Sequence, residues 1–111
     1  MPSMSSTVQN ESRRVRRLIA AYVRLHRQKK YSPIRESALQ KRIKVLLEKL
    51  DRAVIKLGDS KTEVERVLGP APGAIGPDSW IYPGADAREF YRIDFSAGAV
   101  AGKSFEIILV N

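Results

Sequence analysis

The sequence predicts an α+β fold: a long N-terminal helical hairpin, a short third helix, then a three-stranded antiparallel meander packed on helices on one face. Three observations carry this. Apolar residues recur at spacings of three and four through the first 57 residues. Punctuation at Ser32-Pro33, at Gly58 and at Ser60-Lys61-Thr62-Glu63 cuts that half into three helical segments. From residue 79 the period changes to two, in short runs rich in aromatic and β-branched residues. Strands grouped after helices, rather than alternating with them, favour an antiparallel sheet covered on one side.

Residues 1–11 are polar and aperiodic and are expected to form a disordered leader. The first helix is predicted over 12–30, with Ser12 as its cap and an apolar stripe of Val15, Leu18, Ile19, Tyr22 and Leu25. Arg13, Arg14, Arg16, Arg17, Arg24, Arg27, Lys29 and Lys30 fill most remaining positions, which makes it a basic amphipathic helix. Ser32 as N-cap and Pro33 at the first helical position restart the chain as a second helix over 33–57. Its stripe is Leu39, Ile43, Leu46, Leu47, Leu50, Val54 and Leu57, and Gly58 closes it. The pattern Ser60-x-x-Glu63 is a capping box for a third helix over 61–68.

The stretch from Gly69 to Pro77 holds three Gly and three Pro and is predicted to be loop. Strands are predicted at 79–82, 89–95 and 104–110, the last two joined by a hairpin loop over 96–102. Alternation puts Tyr91, Ile93 and Phe95 on the helix-facing side. Phe90, Arg92, Glu106, Ile108 and Val110 then point outward, an apolar cluster rimmed by charge that reads as a partner-binding face. The 33–57 helix, about 37 Å long at 1.5 Å per residue, overhangs strands of roughly 20 Å. Its stripe needs a cover, from the first helix or from a second copy of the chain in a homodimer. The organisation expected is a leader (1–11), a basic helical hairpin extension (12–45) and an α+β module (46–111).

Residues 57–72, Leu57-Gly58-Asp59-Ser60-Lys61-Thr62-Glu63-Val64-Glu65-Arg66-Val67-Leu68-Gly69-Pro70-Ala71-Pro72, combine a helix end, a capped helix and an L-G-P-x-P ending that is similar to an L-G-x-P pattern. Asp78-Ser79-Trp80-Ile81-Tyr82 forms a D-x-W-x-Y run, and Phe95 to Val100 reads F-x-x-G-x-V, similar to an F-x-x-x-G-x-V hairpin run but one residue shorter. In this order they resemble the SmpA/OmlA (BamE-like) domain family, whose fold is related to β-lactamase-inhibitor-protein repeats, over roughly residues 46–110. The resemblance implies two helices on one face of a three-stranded sheet and a non-catalytic, protein-binding module. The chain lacks the lipid-bearing cysteine and the lipoprotein signal stretch of family lipoproteins.

Composition narrows the function classes. In 111 residues there is no cysteine, hence no disulfide and no thiolate metal site, and the one histidine builds no histidine cluster. The apolar fraction, 43%, is that of a chain able to bury a core. The net charge of +8 is uneven: residues 1–57 hold fifteen Lys and Arg against four Asp and Glu, whereas residues 58–111 hold five against eight. Such asymmetry marks an anionic partner or a solvated helical face. The longest early apolar run, residues 18–23, is too short for a signal or a membrane span, so a cytoplasmic location is expected.

Residues 98–104 imitate a phosphate-binding loop, but three residues separate Gly98 from Gly102-Lys103 where four are needed, and a strand follows instead of a helix. His26 sits among arginines, and Asp78, Asp86, Glu89 and Asp94 are dispersed. The expectation is therefore no enzyme, no cofactor and no metal. The leading reading is a protein-interaction module acting through the outer sheet face or the hairpin. The alternative is nucleic-acid or anionic-surface binding through residues 13–30.

Overall fold

The computed structural model describes residues 5–28 and 32–108. Three helices, α1 (Ser6–Arg27), α2 (Pro33–Ala53) and α3 (Lys61–Leu68), precede four strands, β1 (Gly73–Ala74), β2 (Ser79–Pro83), β3 (Glu89–Ser96) and β4 (Ala99–Ile107). The strands pair antiparallel in chain order, β1-β2-β3-β4. The α+β class and the antiparallel meander hold, with one strand more than the sequence indicates.

The differences have local causes. Ser5, not Ser12, caps α1: its Oγ accepts the Val8 amide at 3.2 Å. Residues 6–11, expected in the leader, are therefore the first turns of the helix. Ser12 is buried and its hydroxyl donates to the Val67 carbonyl at 2.6 Å, tying α1 to the last turn of α3. The second helix begins as expected, with Ser32 capping Arg35 and Pro33 at its first position. It stops at Ala53, not Leu57, and Ile55 rather than Leu57 enters the core.

The reason for that stop lies across the molecule. Lys103 Nζ donates to the carbonyls of Asp51 and of Ile55, the latter at 2.6 Å, and pairs with Asp51 Oδ1 at 3.2 Å. A cation on the last carbonyls satisfies groups that a helix end leaves free and suits its dipole. The lysine of the false phosphate loop thus closes α2. Ser60 caps α3 through the Glu63 amide at 3.1 Å, but the Glu63 carboxylate turns to Arg66 at 2.7 Å, so only half of the capping box forms.

In the sheet, Gly73 and Ala74 pair with Ile81 and Trp80 and make the extra strand inside the predicted loop. The β3–β4 connection is two residues, Ala97 and Gly98, both at positive φ (52° and 80°), the geometry of a type I′ hairpin. It replaces the seven-residue loop expected over 96–102, so β4 starts five residues early. A register shift between Asp94 and Phe95 skips Ala101 on β4 and sets Val100 opposite Phe95, facing inward.

One core joins the layers: Val15 and Ile19 of α1, Ile43, Leu47 and Leu50 of α2, Val64 and Leu68 of α3, and Tyr82, Tyr91 and Ile93 of the sheet. The stripe of α2 is covered by α1 within the chain. Tyr82 donates to the Gly69 carbonyl at 2.9 Å and Tyr91 to Asp51 Oδ1 at 2.5 Å, so the phenols reach polar partners from inside the core. Among the described residues no helix is long and apolar enough to cross a membrane.

Candidate polyanion-binding face and adjoining cleft

Packing α1 by Val15, Ile19 and Leu25 turns its other side to solvent. At 100° per residue, Arg13, Arg14, Arg16, Arg17, Arg24 and Arg27 spread over about 160° of helix circumference and about 21 Å of its length. All six are exposed. Among the described residues none of them lies within ion-pair distance of a carboxylate. Arg16 also serves the fold. Its stem lies over Gly69, where an added Cβ would meet Arg16 Cγ at 3.3 Å, and its Nε donates to the Ser12 carbonyl.

The acids of the two long helices explain why the arginines stay unpaired. Each is engaged elsewhere. Glu11 faces Lys49 at 3.8 Å, Glu36 accepts from His26 Nε2 at 2.8 Å, Glu48 lies 3.8 Å from Lys44, and Asp51 holds Lys103 and Tyr91. On α2, Arg35, Lys41, Arg42 and Arg52 are likewise exposed and without a carboxylate partner among the described residues. The basic surface therefore extends across both long helices.

The outer sheet face is different. Arg92 and Glu106 point outward with Phe90, as the alternation predicts, but they are engaged. Arg92 Nε donates to Asp94 Oδ1 at 2.8 Å, and the Ser79 hydroxyl donates to the same oxygen at 2.5 Å. The Ser79 hydroxyl and then Arg92 hold the Asp94 carboxyl below its usual range, and the Asp94 hydrogen bond raises Arg92. Ser104 donates to Glu106 at 2.8 Å. Phe90 is half-buried, and Ile108, 49% exposed, is the apolar residue this face offers most openly. Val110, Lys29 and Lys30 lie outside the described residues.

Where the two surfaces meet, between the C-terminal third of α1, the β1–β2 edge and the β2–β3 connection, there is a cleft of about 480 Å³. It brings together Phe90 and Ile108 from the predicted sheet face and Arg27 from the basic helix; Arg13, Arg14, Arg16, Arg17 and Arg24 lie outside it. Three lining residues were not expected from the sequence. Tyr22, packed on the His26 ring at 4.5 Å, forms one wall; burial and then the charge of Glu36 raise its phenol pKa. His26 beside it bonds Glu36. Gln40 on α2 is 3% exposed and lines the cleft. The one signal in the sequence was Glu36 and Gln40 continuing the apolar stripe of α2 toward its N-terminus at a spacing of four.

No protein-family model, curated protein or solved structure matches this chain.

Proposed function

We propose that the protein is a non-enzymatic binding module whose helical layer docks on the phosphate backbone of a nucleic acid. One observation carries this reading: among the described residues, every acid of α1 and α2 is engaged by another residue while six arginines of α1 stand exposed without a carboxylate. Positive charge that the fold does not use is free to displace counterions from phosphates. A membrane surface fits less well. A helix lying in a bilayer interface inserts an apolar face, and the apolar face of α1 is already in the core; between its exposed arginines stand only Ala20, Ala21 and Gln28.

Fluorescence anisotropy of a labelled oligonucleotide at several salt concentrations tests the proposal. Binding should weaken steeply with salt, and replacing Arg13, Arg14, Arg17 and Arg24 with Gln should flatten that dependence. Salt-independent binding, or binding untouched by the four changes, would refute it.

A second reading, a protein partner on the outer sheet face or the hairpin as the SmpA/OmlA resemblance implies, rests on the exposure of Ile108 just after β4. If a candidate partner's affinity is unchanged when Phe90 and Ile108 are replaced with Ser, that face is not its site.

A further inference from the structure

We infer that the cleft between α1 and the β2–β3 connection receives an unpaired nucleobase, so that the nucleic acid bound is single-stranded. This rests on the reading of α1 as a phosphate-binding face. The cleft is large enough for a nucleoside-sized group, since ligand sites run from about 300 Å³ upward and this one is about 480 Å³. Its walls are Tyr22 on one side and Phe90 and Ile81 on the other, and base–aromatic stacking needs only a π-face. A primary amide both donates and accepts. Gln40 offers that pair of functions to the edge of a base.

The charges orient the occupant. Arg27 stands at the α1 side of the cleft and Asp86 at the loop side. A phosphate is repelled from the loop side and drawn to Arg27, which leaves the base to point inward. Val23 and Arg27 also line a second groove of about 520 Å³, which continues along α1 past Arg24 to Arg16 over a floor of Ile19, Leu68 and Pro70. A backbone tracking these arginines passes the mouth of the cleft, where a base of an unpaired strand can turn in. A duplex keeps its bases stacked and paired, and extruding one costs a few kcal/mol.

The test uses the full chain, as wild type and as Gln40→Leu and Phe90→Ala variants, and three labelled probes: a single-stranded 12-mer, the same strand with abasic sites, and the matching duplex. The expected result is a loss of about ten-fold in affinity for the abasic strand, of the size one stacked base provides, and a similar loss for each variant on the intact strand. Duplex affinity should be the same for wild type and both variants, which also shows that the variants fold. Equal binding of abasic and intact strands, or unaltered single-strand affinity in both variants, overturns the inference and leaves the phosphate-binding proposal standing. Failure of every probe to bind overturns both.

Discussion

The two layers treat their charges in opposite ways. On the sheet, charged groups are spent on structure: Arg92 on Asp94, Lys103 on the end of α2, and Glu89 on Lys44 at 2.6 Å, with Lys44 also 4.3 Å over the Phe105 ring. On the two long helices the acids are spent and the exposed arginines are not. Charges that serve the fold should be costly to remove, and charges held in reserve should be cheap.

The largest stability effect should come from the core both layers share. Leu47→Ala, at a fully buried position, should cost about 3 kcal/mol in urea denaturation. A loss below about 1 kcal/mol would mean the layers are not packed on one another as described. Gly84→Ala comes next. An added Cβ would lie 2.6 Å from the backbone carbon of Glu89, and the strain should cost about 2 kcal/mol. It would also disturb the loop that carries Asp86 beside the cleft.

Lys103→Met tests the structural use of charge in the sheet layer. It frees two carbonyls at the end of α2 and removes a partner of Asp51, which should cost about 1–2 kcal/mol. A neutral outcome would place Lys103 with the reserve charges. Alkali probes the same region. Burial raises the phenols of Tyr82 and Tyr91 well above the ordinary value of 10.0, helped in Tyr91 by its hydrogen bond to Asp51. Raised folded values mean that stability is intact below pH 10 and falls as pH climbs above it, because the unfolded chain ionises first. The 295 nm tyrosinate signal of these two residues should appear together with unfolding; early ionisation would contradict their burial.

The smallest stability effect belongs to the arginines. Replacing Arg13, Arg14, Arg17 and Arg24 with Gln should change stability by no more than about 0.5 kcal/mol per site. A loss of several kcal/mol would show that these side chains serve the fold after all.

Much of the fold was legible because its signals are local. Ser32-Pro33 and Ser60 act on amides within their own turn, and the alternation over β3 sets both faces by itself. What misled was tertiary. Ser5 and Ser12 are equally good caps by residue type, and the Val67 carbonyl decides between them. Gly98 and Gly102 are equally good turn residues, and the I′ geometry uses the first with Ala97, whose positive φ no residue preference announces. The β1 pair has no strand propensity and exists through Ile81 and Trp80. At the candidate site, helical periodicity displays the arginine face directly. Its lack of acid partners depends on distant pairings such as Glu36 with His26, and the cleft depends on Gln40 meeting the sheet, which no spacing encodes.

The central claim is that the arginines of α1 are free for phosphates, and the salt dependence of single-strand binding measures it most directly. The slope of log K against log salt for the wild-type chain should be steep and negative, at about 0.7 per phosphate neutralised. The four Arg→Gln changes should flatten it by about 0.7 for each arginine in contact, with the unfolding midpoint nearly unchanged. A slope that is flat from the start, or identical in the two proteins, would contradict the account.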